Sequence, residues 1–524
     1  MINKILNNRI AVLYIIPFFL GLLTVFSFQP FNLSLINFFL LPVFFLLIVY
    51  VNKRSKNKYR KKPIHKNLFT IGFLFGFGFY LSGIFWVSYS LTFDESFKHL
   101  IPFSLILIPL FLALFVGLTT LIFGRYFEYD FTSLLLFSGS FGLSDYIRGK
   151  ILTGFPWNLW AYSWSWLNEI LQIINVIGLY AFNTIVITVF TIPAIFFFKI
   201  STKNKLLLIS SSLIVIFLFY LYGTFSINKN KSLLNYINNK NKTYLKVISP
   251  DFDLKYNLSL NEVEDQLIKL VKYSEPDTNK KTLFVWPEGV FTGYSYEEIL
   301  TFKEVFKDNF NKNHLIIFGI NTLDKKTGKF FNSLIVVNNQ LDILQKYNKT
   351  KLVPFGEFLP FENFFNKFGL KKITQGHGSF LKGKIQNNII IDNLNILPLI
   401  CYEIIFPELI QKADSKTNII INISEDGWFG NSIGPYQHFA KAIFRSIEND
   451  TFLIRSANKG ISAIISNKGE IIKQLDVAES GNIELEVPLL KKDHKNKNDL
   501  IFFILLITYL ITFKLFKKKN NDNR

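Results

Sequence analysis

At 524 residues the chain is long enough for more than one domain, and an apolar fraction of 50% against 18% charged residues is too greasy for an ordinary soluble protein. A net charge of +20 does not indicate nucleic acid as a partner, because the Lys and Arg residues gather in short runs beside apolar stretches instead of forming one basic face. A single cysteine, Cys401, excludes an intrachain disulfide and any multi-cysteine zinc or iron-sulfur site within the chain.

Stretches able to cross a hydrocarbon layer of about 30 Å are predicted over 10–28, 32–51, 68–90, 101–123, 131–147, 173–198 and 206–225, with an isolated one over 499–516. The first follows Lys4 and Arg9 but ends in Ser27-Phe28-Gln29-Pro30, without an A-x-A-like cleavage site, so it reads as a retained span. Ser144, Asp145, Arg148 and Lys150 crowd the end of the fifth, and 154–172 reads as a membrane-dipping loop or a simple connection. The predicted organisation is a membrane domain over 1–225 with about seven transmembrane helices, and an Asn/Lys-rich solvated linker over 226–242. A soluble α/β domain over 243–490 follows, then a transmembrane helix over 499–516 and a basic cytoplasmic tail over 517–524.

The distribution of basic residues tests that plan. With the N-terminus in the cytoplasm, the run from Lys53 to Lys66, the group Lys199, Lys203 and Lys205, and the tail from Lys514 all fall on one side. The loop from Thr92 to Leu100, with Asp94 and Glu95, and the α/β domain fall on the other.

Four segments of the α/β domain place a reactive or charged residue on or just after a β-type apolar run, where such folds build their sites. In Leu283-Phe284-Val285-Trp286-Pro287-Glu288 the carboxylate beyond a buried strand suits a general base, although a surface glutamate in a strand-to-loop turn gives the same pattern. In Tyr347-Asn348-Lys349-Thr350-Lys351, followed by a glycine-bearing turn to Glu357, one lysine suits an oxyanion and the other a solvated turn. Lys349 and Lys351 would share a face of a strand, so periodicity does not separate them.

The run Asn395 to Ile400 ends in Cys401, which is either an inert buried thiol or a nucleophile activated by a nearby base and ammonium. Ile419 to Ser424 runs into Glu425-Asp426-Gly427-Trp428-Phe429-Gly430, a polar and aromatic loop placed to wall a pocket. A phenylalanine-rich stretch after the lysine, with Phe355, Phe358, Leu359, Phe361, Phe364, Phe365 and Phe368, suits a lid touching the bilayer interface, and equally suits core packing.

Jointly, Trp286-Pro287-Glu288, Tyr347-x-Lys349 and Cys401-Tyr402-Glu403 resemble the Glu-Lys-Cys triad of the nitrilase superfamily. Leu352 to Pro360, Asp426 to Pro435 with Gln437-His438, and Thr153-Gly154-Phe155-Pro156-Trp157-Asn158 in the membrane half look like its apolipoprotein N-acyltransferase branch. The resemblance covers nearly the whole chain. It implies a multi-span α-helical membrane domain plus an extracytoplasmic α/β nitrilase-like α-β-β-α sandwich, on the periplasmic side of a bacterial inner membrane. Glu288 is then the base, Lys349 the oxyanion stabiliser and Cys401 the nucleophile, with Glu357 supporting Lys349 or the intermediate and Tyr402 and Glu403 shaping the site. Trp157, Phe358 and Trp428 are candidates for substrate or lid contacts. One departure stands at 425, where the family pattern leads one to expect Asn and this chain has Glu.

The resemblance further implies acyl transfer from a membrane phospholipid to a diacylated apolipoprotein, with no cofactor. No metal is expected, since the six histidines, His65, His99, His314, His377, His438 and His494, form neither an H-x-x-x-H nor an H-E-x-x-H arrangement. Two other classes fit parts of the sequence. A membrane-anchored amidase would use the same triad with water as acceptor, and a transporter would use the second domain for binding, though it should carry more charges inside its spans.

Overall fold

The structure is a computed structural model and describes residues 6–58, 62–235, 242–362, 378–384, 388–490 and 499–522. The chain divides into two units, one of Met1–Ser88, Leu100–Ser226 and Asn498–Arg524, the other of Tyr89–His99 and Ile227–Lys497.

The first unit is helical, as it must be where long apolar stretches have to satisfy every backbone polar group internally. Among the described residues six segments are long and apolar enough to cross a membrane: Ser34–Ser55, Ile64–Thr92, Glu95–Tyr126, Leu179–Phe197, Thr202–Leu234 and Leu500–Lys518. The expected first and fifth spans are also helical, but Ala11–Ser27 is shorter and Phe131–Lys150 carries Asp145, Arg148 and Lys150. Arg148 donates to Asp145 at 2.9 Å, Asn183 Nδ2 donates to the other Asp145 oxygen at 2.9 Å, and Arg148 also bonds the Phe155 carbonyl. The guanidinium thereby ties the loop bearing Pro156 and Trp157 to the helix end. Glycines set the closest helix approaches, because a Cβ on Gly21 would run into the Phe75 carbonyl and one on Gly72 into Thr120.

The helix Thr202–Asn235 continues through most of the stretch expected as a solvated linker. Asn230 gives the reason. Its side chain exchanges two amide hydrogen bonds with Asn467, at 2.9 and 2.8 Å, which holds this end of the helix within the second unit. The remainder of that expected linker, 236–241, lies outside the described residues.

Among the described residues the second unit contains two six-stranded sheets. The first is formed by β1 (Lys242–Ser249), β2 (Thr282–Val285), β3 (His314–Asp324), β4 (Lys329–Val337), β5 (Ile343–Asn348) and β12 (Gly481–Pro488), in the order β12-β1-β2-β3-β4-β5. The other is formed by β6 (Ile389–Ile391), β7 (Leu394–Ile400), β8 (Ile419–Glu425), β9 (Leu453–Asn458), β10 (Ser462–Ile465) and β11 (Ile471–Leu475), in the order β11-β10-β9-β8-β7-β6. Each sheet has a parallel trio, β1-β2-β3 and β7-β8-β9, flanked by antiparallel strands.

Strand alternation sorts the side chains. Val247, Val285 and Ile317 from the first sheet pack with Ile396, Ile421 and Ile454 from the second in one core. On the outer face of the first sheet, Ile248, Phe284 and Phe318 pack with Val263, Leu267 and Leu270 of the helix Leu260–Ser274. That helix begins with a capping box between Ser259 and Glu262. The helix Gly434–Asn449 packs against the second sheet at β9, completing an α-β-β-α arrangement.

Candidate active site

Three strand ends and one turn converge. Glu288 follows β2, Lys349 follows β5, and Cys401 follows β7 at the start of a short helical turn, Cys401–Ile405. Glu288 lies close to β3 because position 319 there is glycine: a Cβ on Gly319 would sit 3.0 Å from the Glu288 Cα.

Lys349 is only 1% exposed and meets two carboxylates. Its Nζ lies 2.9 Å from Glu357 Oε1 and 3.4 Å from Glu288 Oε1. Burial alone would discharge it, but Glu288 and Glu357 outweigh burial and hold the ammonium above the ordinary lysine range. Glu357 is fixed in turn by the Val353 N–H, which donates to its second oxygen at 2.8 Å. Lys351 turns elsewhere, to Glu408 at 2.8 Å and over the Phe406 ring. The strand periodicity that would align the two lysines does not apply, because β5 ends at Asn348.

Cys401 is buried and its φ is +47°, a left-handed conformation that side-chain-bearing residues seldom adopt. Such positions are held by their surroundings at a cost of about 1–3 kcal/mol. Burial pushes the thiol up, Glu288 adds to that, and the Lys349 charge with a Ser424 hydrogen bond offsets part of it. A thiol so placed is protonated at neutral pH and needs a base in order to attack.

Glu403 is the structural tie. One oxygen accepts from the Thr350 N–H at 2.7 Å, the Thr350 hydroxyl at 2.8 Å, the Tyr347 hydroxyl at 2.8 Å and the Lys351 N–H at 3.0 Å. The other accepts from the Ile400 N–H at 2.9 Å. Burial raises the pKa of this carboxyl, and the Ile400 bond offsets part of the rise. Tyr402 is half-buried and packs edge-on against Phe406.

At the end of β8 the Glu425 N–H donates to Glu288 Oε2 at 3.2 Å. Its carboxyl is buried, accepting from the Gly427 N–H at 2.9 Å and from Asn458 Nδ2 at 2.8 Å. Burial holds its pKa well above the carboxylate range, and Glu288 and Asp426 add to the rise. Asp426 is buried among Arg455 at 2.7 Å, His438 at 2.9 Å and the Ser424 hydroxyl at 2.6 Å, and it stays below the carboxylate range because Arg455 and His438 outweigh its burial. Trp428 is half-buried, 5.4 Å from the Phe93 ring.

A model of the apolipoprotein N-acyltransferase N-terminal domain matches residues 20–192, and a carbon-nitrogen hydrolase model matches 256–490. An apolipoprotein N-acyltransferase of Rickettsia typhi is 31% identical over 521 residues, covering 95% of this chain and 98% of its own. The chain belongs to the apolipoprotein N-acyltransferase family. Another member of the family, from Rhizobium leguminosarum bv. trifolii, is 30% identical over 433 residues, covering 80% of each chain. Among solved structures, Saccharomyces cerevisiae Nit3, a member of branch 10 of the nitrilase superfamily, aligns with 47% of this chain and 90% of its own, at 19% identity and a TM-score of 0.36. As a member of the apolipoprotein N-acyltransferase family, the protein is a membrane acyltransferase with a nitrilase-fold domain.

The remaining candidates divide. Phe358 is half-buried, Phe355 is exposed and Phe361 is 78% exposed. Phe364, Phe365, Phe368 and His377 lie outside the described residues. Trp157 is buried within the helical unit, 4.6 Å from the Trp86 ring, so it is packed there and not at a surface. Asn332 on β4 had no motif to mark it, yet its Nδ2 donates to both Glu288 Oε1 and Glu357 Oε1 at 2.7 Å. The readable signal was positional: β4 pairs antiparallel with β5, and Asn332 falls opposite Lys349.

Proposed function

We propose that this protein moves a fatty acyl chain from a membrane phospholipid, through a thioester on Cys401, to the α-amino group of the N-terminal diacylglyceryl-cysteine of apolipoproteins. The single observation that carries the reading is the buried Lys349 ammonium set between the Glu288 and Glu357 carboxylates.

Glu288 takes the thiol proton as sulfur attacks the ester carbonyl carbon. Lys349, charged throughout, stabilises the oxyanion that forms. Collapse breaks the ester C–O bond, and Glu288 returns the proton to the departing lysophospholipid oxygen. In the second half the neutral amine attacks the thioester carbonyl and loses its proton to Glu288, the C–S bond breaks, and the thiol is regenerated by that proton. An ester and an amine become an amide and an alcohol, with no net proton change and no cofactor in any step. The catalytic unit lies on the periplasmic side of the bacterial inner membrane in this reading, which the one-sided placement of Lys53 to Lys66 and Lys514 to Lys519 supports.

The carbon-nitrogen hydrolase match supports a second reading, hydrolysis with water as acceptor. The two separate in one assay. Enzyme, phospholipid and a synthetic diacylated lipopeptide should yield triacylated lipopeptide and lysophospholipid in equal amounts. Release of free fatty acid with the lipopeptide unchanged would establish the hydrolase.

A further inference from the structure

Two donors and two acceptors form a closed box around the base. Asn332 Nδ2 and Lys349 Nζ are the donors, and each reaches both Glu288 Oε1 and Glu357 Oε1, at 2.7 and 2.7 Å from Asn332 and at 3.4 and 2.9 Å from Lys349. The box is rigid on the backbone side as well, since the Lys349 N–H donates to the Asn332 carbonyl at 2.9 Å.

Glu288 Oε1 accepts two hydrogen bonds, from Asn332 and Lys349, whereas Glu288 Oε2 accepts one among the described residues, the 3.2 Å bond from the Glu425 N–H. The two oxygens of the base are therefore unequal.

We propose that Asn332 is a positioning residue that locks Glu288 through Oε1, so that Oε2 is the oxygen that takes the Cys401 proton and later returns it. This rests on the thioester reading above and assigns within it the atom that carries the proton. The S–H bond breaks and an Oε2–H bond forms, while Oε1 keeps its Asn332 bond throughout. The lock also separates two tasks. Lys349 is held only loosely by Glu288, at 3.4 Å, and can turn to the substrate oxyanion without releasing the base, because the 2.7 Å bond from Asn332 remains.

The inference has a signature that a packing role lacks. The titratable groups facing Glu288 are Lys349 after β5, Glu357 on the turn beyond it, Cys401 after β7 and Glu425 ending β8. Asn332 is neutral, so removing it alters none of these charges and takes away a donor that the anionic base shares with Glu357. A hydrogen bond to a charged form favours that form. Without it the anionic form of the base loses a donor, and the acid limb of the acylation rate is expected at higher pH.

The test is the rate of Cys401 acylation by phospholipid in a single turnover, read by intact mass across a pH series, for the detergent-solubilised full chain. In Asn332→Ala the acid limb of the rate is expected to move up by about one unit, the size of a lost hydrogen bond to a charged group, with the plateau rate down roughly tenfold or more. Asn332→Ser, which keeps one hydroxyl donor, should fall between Ala and wild type, and it supplies the readout should the Ala variant fail to fold. Folded variants that acylate more slowly with an unshifted acid limb, or at the wild-type rate, would overturn the inference while leaving the thioester intact. A wild-type chain that never acylates at Cys401 would overturn both.

Discussion

Glu403 accepts a 2.7 Å hydrogen bond from the Thr350 backbone N–H, so the residue two places after the thiol grips the residue one place after the lysine. The nucleophile and the ammonium come from different sheets, and this carboxyl joins them. Replacing it with Ala strands the buried N–H groups of Ile400 and Thr350, each costing about 1–3 kcal/mol when unsatisfied, together with the half-buried N–H of Lys351. Glu403→Ala should lower stability by ~3 kcal/mol and abolish transfer, measured by thermal unfolding in detergent and by the lipopeptide assay. Glu403→Gln, which keeps one acceptor oxygen, should lose less of both.

The thiol should be slow to alkylate. Burial and Glu288 hold it above the ordinary cysteine range, so iodoacetamide labelling of the resting enzyme should still be rising at about pH 9, where an exposed cysteine is already mostly thiolate. Intact mass of the quenched protein reads this directly. A plateau near neutral pH would mean that the resting thiol is already ionised.

Glu425 should make stability depend on pH in a definable direction. Its folded pKa lies well above its unfolded value because of burial, with Glu288 and Asp426 adding to it, so the folded chain binds a proton that the unfolded chain has released. Stability from this group is therefore full below the ordinary glutamate range and is lost as pH rises through the folded value. Relative to wild type, Glu425→Gln should gain melting temperature progressively as pH rises above the ordinary glutamate range. A difference that stays flat with pH would show that Glu425 keeps its unfolded proton affinity.

Asp426 supports the loop that carries Trp428. Its carboxylate faces Arg455 at 2.7 Å with both side chains buried, and removing one member of a buried pair costs about 3–5 kcal/mol. Asp426→Asn should destabilise by that order and reduce transfer, with melting temperature and turnover as the readouts.

The sequence was most informative where chemistry and strand ends coincide. Glu288, Lys349 and Cys401 each follow an apolar run, and each sits at or beyond the end of β2, β5 or β7. The choice between Lys349 and Lys351 was legible only through the Tyr347-x-Lys349 spacing, because strand periodicity gives both the same face; the end of β5 at Asn348 and the Glu408 partner of Lys351 separate them. Asn332 was not legible, since its role depends on the register of β4 against β5 and a lone Asn carries no pattern. The departure at Glu425 was visible, but its consequence was not: the partner that receives the carboxyl, Asn458, lies 33 residues away on β9. Asn230 likewise carried no mark of the Asn467 pairing, 237 residues distant, that extends a helix into an Asn/Lys-rich stretch.

The central claim is the thioester on Cys401, and intact-mass analysis after incubation with a defined phospholipid and no acceptor tests it most directly. Wild type should gain one fatty-acyl mass, labile to hydroxylamine and discharged onto an added diacylated lipopeptide, while Cys401→Ala gains nothing. A wild-type chain that produces triacylated lipopeptide without ever carrying that mass, or a Cys401→Ala variant that still transfers, would contradict the account.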